Sequence, residues 1–243
     1  MRIAKRIENL PPYVFATVEK RIAAERARGV DVISLGIGSP DLAPPKEIID
    51  AMYQSALRSD THGYAGYYGT PALRQAAANY YGRRFGVELD PGSEILPLIG
   101  SKEGLANVAL AFVDPGNIAL ATDPGYPTYR MGALLAGGDS YPMPLHREND
   151  WLPDLEAIPG DILSRATIMW LNYPNNPTGA GAPLEFLSHA VDFAAEHDLL
   201  ICYDNPYCDV TFDGYQAPSI LQIPGAKQVA IEFNSHSKTY NMA

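Results

Sequence analysis

Short apolar runs alternate with longer amphipathic stretches along the chain from residue 94 onward. Apolar runs of about five residues bounded by turn formers predict strands, and longer stretches with helical periodicity predict helices. The predicted strands are Ile95–Ile99, Ile118–Ala121, Ser140–Met143, Thr167–Leu171, Leu199–Tyr203 and Gln228–Phe233. The predicted helices between them are Ser101–Phe112, Thr128–Leu135 and Pro183–His197. Because parallel strands are joined by helical crossovers, this alternation predicts an α/β fold with a mainly parallel sheet and helices on both faces.

The first part of the chain has a different pattern, in which helices are more frequent than strands. The predicted elements are a helix over Pro12–Arg28, a short strand over Val32–Leu35 and helices over Pro45–Leu57 and Pro71–Phe85. Thr70 stands at the position of an N-cap before Pro71, and Gly86 is placed to end that helix. A loop rich in Gly and Tyr, residues 63–69, precedes it.

Composition and charge exclude several classes of function. The chain has 18 Lys and Arg against 28 Asp and Glu, a formal charge of −10, which argues against nucleic-acid or anionic-membrane partners. The apolar runs are too short to span a bilayer, and Met1–Glu8 has no apolar signal core, so we expect a cytoplasmic protein. The two cysteines, Cys202 and Cys208, form no C-x-x-C motif, so neither a disulfide framework nor a metal site is expected.

Candidate chemistry lies in the loops that follow the predicted strands, because ligands of parallel sheets bind at the carboxyl ends of the strands. Gly100-Ser101-Lys102 opens a helix, and the backbone N–H groups of a helix N-terminus suit a phosphate. The same residues also fit a serine N-cap beside a solvated lysine. The turn at 172–179 is rich in Asn and Pro, so it either aims an amide into a cleft or is only a rigid turn.

Two charged residues in the later loops leave similar alternatives open. Asp204 ends a buried strand, where it either caps the next element or serves as counter-ion to a cationic heterocycle. Lys238 stands among hydroxyl residues after the last predicted strand. It suits a phosphate contact, a surface charge or a Schiff-base nucleophile.

The order of these motifs along the chain carries more information than any one of them. They are Gly-Ser-Lys at 100–102, Asp-Pro-Gly-Tyr-Pro-Thr-Tyr at 123–129, Asn-Asn-Pro-Thr-Gly at 175–179, Asp-Asn-Pro-Tyr at 204–207 and Ser-His-Ser-Lys at 235–238. In this order the chain resembles the class I/II aminotransferases that use pyridoxal phosphate, from Leu35 to its last residue. Further stretches at 10–13, 136–138, 212–215 and 237–242 resemble the LL-diaminopimelate aminotransferase branch.

The resemblance implies a role for each residue of the cofactor ring site. Lys238 would form the Schiff base with the cofactor and later shuttle the proton. Asp204 would keep the pyridine nitrogen protonated, which strengthens the ring as an electron sink. Asn176 and Tyr207 would hydrogen-bond the ring hydroxyl, and Tyr126 would stack on the ring face. The expected catalytic residues are therefore Lys238, Asp204 and Tyr207.

The resemblance also implies contacts outside the ring. The cofactor phosphate would be bound by Ser101, Lys102, Ser235 and Ser237. Tyr64 would reach the phosphate of a neighbouring subunit, because this family builds its sites across a dimer interface, although a Gly- and Tyr-rich segment also fits a packed turn. The main chain at Gly38 would approach the substrate carboxylate. The expected partners are an amino acid, a 2-oxo acid such as 2-oxoglutarate, and a second copy of the chain in a homodimer.

The resemblance further implies an incomplete architecture. Residues 1–45 would form an N-terminal arm with part of a small domain, and residues 46–243 an incomplete cofactor-binding large domain. A C-terminal small domain, a second phosphate-binding arginine and the arginine that clamps the substrate carboxylate would be missing. So would a strand that inserts between those at Ile95 and Gln228, and its loss would leave unpaired backbone groups, so we expect the chain alone to be unstable or inactive.

Other functions remain compatible with the same residues. A C–S lyase or an amino-acid decarboxylase of this fold would use the same Lys238, Asp204 and Tyr126. A non-catalytic chain would keep the fold for partner binding or cofactor storage. A dinucleotide-binding domain fits less well, because Gly36-Ile37-Gly38 lacks the third glycine that opens a helix.

Overall fold

The structure is a computed structural model that describes residues 2–8, 10–36 and 38–243. The helices are α1 (Lys5–Glu8), α2 (Val14–Ala27), α3 (Lys46–Ala56), α4 (Pro71–Phe85), α5 (Ser101–Phe112), α6 (Pro127–Ala136), α7 (Gly160–Leu163), α8 (Leu184–Glu196), α9 (Ala226–Val229) and α10 (His236–Thr239). The strands are β1 (Ile118–Asp123), β2 (Asp139–Pro144), β3 (Ala166–Asn172), β4 (Leu200–Asp204) and β5 (Ala230–Phe233). Single 3₁₀ turns occur at Ser59–Thr61, Arg147–Asn149 and Ile220–Gln222.

The strands form one parallel sheet. In the described part of the chain its order is β2-β1-β3-β4-β5, and each neighbouring pair runs parallel. Every connection therefore has to cross over one face of the sheet, and α6 and α8 lie in two of these connections. The prediction of an α/β fold with a parallel sheet is confirmed.

The core lies on both faces of the sheet, and the alternation along β3 shows how it is divided. Ile168 and Trp170 belong to the cluster that packs under α5 and α6, while Met169 and Leu171 belong to the cluster under α8. All four side chains are fully buried. Because both faces of β3 are covered, its sequence is a continuous apolar run rather than an alternating one.

Close packing between elements requires glycine at two helical positions. A Cβ on Gly104 of α5 would lie 2.5 Å from Cδ1 of Leu98 and 2.8 Å from Cε1 of Phe233. A Cβ on Gly132 of α6 would lie 3.1 Å from the Cβ of Ala109. These glycines let α5 approach both α6 and the end of β5, which brings the helix start at Ser101 toward the carboxyl edge of the sheet.

Two predicted strands are wrong. Residues 95–99 form no strand, with Leu96 60% and Ile99 94% exposed, and residues 32–35 are likewise irregular. An apolar run indicates that a segment can pair, but a strand forms only where a partner supplies hydrogen bonds. In the part of the chain that the structure describes, β5 has β4 as its one sheet neighbour, and residues 95–99 pair with no strand.

The remaining differences are small. The predicted strand at Gln228 begins at Ala230, because residues 226–229 form α9. The short helices α1, α7, α9 and α10 were not predicted, since four residues are too few for a periodic pattern. None of the described helices combines the length and the apolar character needed to cross a membrane.

Candidate functional site

Three loops leave the sheet side by side at its carboxyl edge. The register pairs Asn172 at the end of β3 with Asp204 at the end of β4, and Asp204 with Phe233 at the end of β5. The loops that follow these residues carry Asn176, Tyr207 and Lys238. The parallel register therefore brings together segments that are far apart in the sequence, at the edge where such sheets bind ligands.

Asp204 is the buried acid of this edge. It is 4% exposed, and its Oδ2 accepts a hydrogen bond of 2.7 Å from the hydroxyl of Tyr129. Burial raises the pKa of Asp204 to about 7, and the hydrogen bond from Tyr129 offsets only part of that effect. Its Oδ1 is buried and has no hydrogen-bond partner among the described residues. A buried carboxylate oxygen without a donor fits a ligand that presents a charged N–H group.

Asn172 fixes the turn beside Asp204. Its Nδ2 donates to the backbone oxygen of Asp204 at 2.7 Å, and its Oδ1 accepts from the backbone N–H of Asn176 at 2.7 Å. Asn175 accepts from the hydroxyl of Thr178 at 2.8 Å, while its own Nδ2 is buried without a partner in the described chain. The turn is thus held by side-chain amides, which fixes Asn176 relative to Asp204.

The first turn of α6 places two tyrosines against the site. Tyr126 precedes the helix, and its ring lies edge-on to that of Tyr129, with centroids 5.9 Å apart. Tyr129 stacks on Trp170 at 4.7 Å with an interplanar angle of 10°. Its contact with Asp204 was missed in the sequence analysis. No local pattern marks this contact, because it depends on how α6 packs against the end of β4.

The start of α5 faces the same group of aromatics. Gly100 has φ of 77°, a conformation that glycine adopts without strain, and Ser101 is the first helical residue. The Nζ of Lys102 lies 5.7 Å from the ring centroid of Tyr126 and 5.4 Å from that of Tyr13. The structure therefore brings the predicted residues Lys102 and Tyr126 together.

The short helix α10 holds Lys238 over the N-terminal segment. The hydroxyl oxygen of Ser235 accepts from the backbone N–H of Ser237 at 3.2 Å and so caps the helix. The Nζ of Lys238 donates to the backbone oxygen of Gly38 at 2.6 Å. Two predicted site residues, 200 positions apart in the sequence, are thus in direct contact.

Tyr207 and Tyr64 differ in their surroundings. Tyr207 is half-buried, and burial, with further contributions from Asp204 and Tyr126, raises the pKa of its hydroxyl. Asp204 and Tyr126 therefore lie close enough to Tyr207 to affect its hydroxyl electrostatically. Tyr64 lies in the loop 63–69 with a fully exposed side chain, so the structure does not bring it into this group.

The arrangement can be compared with known proteins. The family model for aminotransferase class I and II matches residues 30–243. The LL-diaminopimelate aminotransferase of Moorella thermoacetica is 56% identical over 242 residues, which cover 100% of this chain and 62% of that protein. The LL-diaminopimelate aminotransferase of one Dehalococcoides mccartyi strain is 52% identical, with the same coverage. The chain thus spans about 62% of the length of the curated relatives it matches.

Solved structures are also similar to this chain. A substrate-bound BacF structure from Bacillus subtilis superposes with a TM-score of 0.94 at 37% identity, covering 100% of this chain and 62% of that one. A probable N-succinyldiaminopimelate aminotransferase from Thermus thermophilus superposes with a TM-score of 0.88 at 40% identity, covering 95% and 62%. The resemblance in the ordered motifs is confirmed, and the chain belongs to the class I and II aminotransferase family.

Proposed function

We propose that this chain carries the cofactor-binding part of an enzyme that uses pyridoxal phosphate to move an amino group from an amino acid to a 2-oxo acid. The observation that carries the proposal is the buried Oδ1 of Asp204, which has no partner among the described residues although a buried polar atom normally has one. The protonated nitrogen of a pyridine ring would supply the missing donor to Asp204. When bound, the cofactor acts as an electron sink that makes the α-proton of an amino acid acidic.

Charge supports this assignment of Asp204. In the protein alone, burial holds the pKa of Asp204 at about 7, so a substantial fraction is protonated near neutral pH. A cationic ring nitrogen next to Oδ1 favours the ionised carboxylate and lowers that pKa. Binding of the ring and ionisation of Asp204 would therefore stabilise each other, and the Asp204 carboxylate would favour a protonated ring nitrogen.

Lys238 is proposed as the covalent attachment point and as the group that moves the proton. Its Nζ is held by the backbone oxygen of Gly38, so the amine has a fixed direction before any ligand arrives. Attack on an aldehyde needs the neutral amine, and the same nitrogen is free to take and return a proton once released. Gly38 is proposed to lie beside the substrate carboxylate, as its contact with Lys238 allows.

The other site residues are proposed to orient the ring and the phosphate. Asn176 and Tyr207 would hydrogen-bond the ring hydroxyl, and Tyr126 would cover the ring face. The phosphate would bind at the start of α5, where the backbone N–H groups of Ser101 and Lys102 and the positive end of the helix favour an anion. Ser235 and Ser237 would complete that phosphate site.

The substrates and the assembly are also part of the proposal. LL-diaminopimelate as amino donor is supported by the names of the relatives that are more than half identical to this chain. A 2-oxo acid such as 2-oxoglutarate is proposed as the acceptor. A homodimer with shared sites is supported by the loop 63–69, where Tyr64 and Tyr67 are fully exposed. Residues 46–243 would form the cofactor-binding domain and residues 1–45 an arm, which is supported by the position of every strand of the described residues after residue 117.

Reduction of the bound cofactor tests the proposal. The protein is purified at the length found in its source, incubated with pyridoxal phosphate, reduced with borohydride and weighed intact. We expect one adduct that maps to Lys238, loss of that adduct in Lys238→Ala, and an unchanged adduct in Lys227→Ala as matched control. Glutamate formation from LL-diaminopimelate and 2-oxoglutarate then tests the donor. If the protein without substitutions remains unlabelled at saturating cofactor, the proposal is contradicted.

A further inference from the structure

A second group of polar side chains lies beside the site and is centred on Asp209. Its Oδ1 accepts from Nε of Arg84 at 2.9 Å, and its Oδ2 accepts from the hydroxyl of Tyr80 at 2.6 Å. The hydroxyl of Thr239 donates to the same Oδ2 at 3.4 Å. We call Tyr80, Arg84, Asp209 and Thr239 the Asp209 cluster.

The Asp209 cluster joins three elements that are separate in the sequence. Tyr80 and Arg84 belong to α4, Asp209 lies in the loop that leaves β4, and Thr239 ends α10. Thr239 is the residue after Lys238. A single carboxylate therefore links a long helix to the loop of Tyr207 and to the helix of Lys238.

Cys208 makes further contacts with residues of the Asp209 cluster. Its backbone oxygen accepts from Nη2 of Arg84 at 3.1 Å, and its Sγ lies 3.4 Å from the hydroxyl of Tyr80. The Nδ2 of Asn234, which follows β5, donates to that sulfur at 3.5 Å. Because Cys208 directly follows Tyr207, Arg84 holds both the backbone beside Tyr207 and the carboxylate two residues further on.

Helix α10 depends on such contacts for its position. It has four residues, none of them buried, and a single helical turn is not stable by itself in water. Its described side-chain links to the rest of the chain are the bond from Lys238 to Gly38 and the bond from Thr239 to Asp209. The bond from Lys238 must break when its amine reacts, and the Thr239 link then still holds the helix.

The Asp209 cluster differs from an ordinary surface ion pair. The side chains of Arg84 and Asp209 are 22% and 21% exposed, against 39% and 36% for Lys227 and Glu94. Reduced exposure weakens screening by solvent, and the shared hydrogen bonds fix the orientation of the carboxylate. Burial, together with Asp209 and Cys208, raises the pKa of Tyr80 well above its ordinary value, so its hydroxyl remains a donor.

We propose that Asp209 is a positioning residue. It fixes the position of Lys238 relative to Tyr207, because it connects the segments of both residues to α4. The inference rests on the proposed function, because it concerns the same amine and the same tyrosine. Asp209 itself touches no reacting atom. Its effect is expected in the rate at which Lys238 attacks the cofactor, since small misplacements of a reacting group cost large factors in rate.

Two variants separate positioning from general stability. Thr239→Val keeps the shape of the side chain, removes only the hydroxyl that reaches Asp209 and leaves the bonds from Arg84 and Tyr80 in place. Asp209→Asn keeps the shape of the acid and removes its charge. Glu94→Gln is the matched control, because it neutralises an acid that is paired with a lysine away from Lys238.

The test uses the protein at the length found in its source and follows two quantities. One is the dissociation constant of pyridoxal phosphate, and the other is the first-order rate, at saturating cofactor, of forming the borohydride-reducible adduct at Lys238. We expect Thr239→Val and Asp209→Asn to slow the rate by about tenfold. Glu94→Gln should change it by less than about twofold. Thermal unfolding followed by circular dichroism identifies any variant that fails to fold.

The outcomes are distinct. If folded Thr239→Val and Asp209→Asn form the adduct at the same rate as the protein without substitutions, the inference is overturned and the proposed function stays intact. An equal slowing in Glu94→Gln overturns it as well, because the effect is then one of general stability. A reference protein without any adduct at Lys238 contradicts the proposed function, and the inference falls with it.

Discussion

The hydroxyl of Tyr129 donates to Oδ2 of Asp204 at 2.7 Å, in a region from which solvent is excluded. The ring of Tyr129 stacks on Trp170, so the hydroxyl has little freedom to turn away. One oxygen of Asp204 is thereby occupied and the other is left for a ligand. The pair joins α6 to the end of β4 and determines which face of the carboxylate is available.

Tyr129→Phe tests this relationship. The variant removes a hydrogen bond that favours the ionised acid, so the pKa of Asp204 should rise further and the carboxylate should bind a cationic ring less well. Loss of a buried hydrogen bond to an ionisable group costs about 1–3 kcal/mol, so we expect the affinity for pyridoxal phosphate to fall by about 5- to 150-fold. Equilibrium titration of the cofactor absorbance measures it.

Tyr203→Phe is the matched control for that variant. Tyr203 is equally buried, but its side chain belongs to the opposite face of the sheet, and its hydroxyl donates to the backbone oxygen of Tyr173 at 3.1 Å. We expect Tyr203→Phe to lower stability by about 1 kcal/mol and to leave cofactor affinity unchanged. Equal affinities in the two variants would show that Tyr129 has no particular role toward Asp204.

The elevated pKa of Asp204 predicts how the stability of the cofactor-free protein depends on pH. Folding raises this pKa from 3.8 to about 7, so between those values the folded state binds more protons than the unfolded state. The free energy of unfolding should therefore decrease as pH rises from about 4 to about 7, by at most about 4 kcal/mol from this group. Above that range the loss is complete.

Asp204→Asn isolates that contribution. The amide does not titrate, so the variant should unfold at a higher urea concentration than the reference at about pH 8 and show a flatter pH profile. Urea unfolding of both cofactor-free proteins across this range measures the difference, and the other titrating groups are common to both. Parallel profiles would mean that Asp204 titrates normally in the folded protein.

Glu232 provides a prediction about stability alone. Its carboxylate accepts from Tyr81 at 3.0 Å, Asn205 at 3.1 Å and the backbone of Ile220 at 3.1 Å, and also from Ser219. Glu232→Gln turns one acceptor oxygen into a donor facing these donors. We expect the free energy of unfolding to decrease by about 2–4 kcal/mol, measured by urea denaturation.

Glu88→Gln is the control for that loss. The side chain of Glu88 is exposed, and the substitution should change stability by less than about 0.5 kcal/mol. If Glu232→Gln is as stable as Glu88→Gln, the four hydrogen bonds contribute little and the region must relax around the amide.

Gly104→Ala tests the close approach of α5 to the end of β5. The added methyl would lie 2.5 Å from Leu98 and 2.8 Å from Phe233, so at least one of them has to move. We expect a loss of about 1–3 kcal/mol in stability, measured by urea denaturation, and weaker cofactor binding, because Phe233 leads directly into the segment of Lys238. Gly160→Ala is the control, since no described atom lies within 4 Å of its added carbon.

Part of the fold could be predicted because its information is local. The apolar runs at β1, β3 and β4 are bounded by turn formers, and the helices between them have their own periodicity. The parallel direction of the strands then follows, because each strand is separated from the next by a crossover. The approximate bounds of these elements, and the edge at which the loops meet, were predicted on this basis.

The failures share one physical cause. Residues 95–99 have the composition of a strand but remain unpaired, because a strand needs a partner and the run by itself does not specify one. The same applies to residues 32–35. For the candidate site, ordered motifs identified Asp204, Lys238 and their neighbours, and the roles assigned to them remain predictions.

The sequence by itself determined most of the longer elements, the parallel sheet and which loops carry reactive side chains, since each depends on neighbouring residues and on chain order. The contacts that orient those side chains were decided only by the tertiary structure. Tyr129 meets Asp204 across 75 positions, and Arg84 meets Asp209 across 125. Such pairs depend on helix packing and strand register, and no local pattern in the chain encodes either distance.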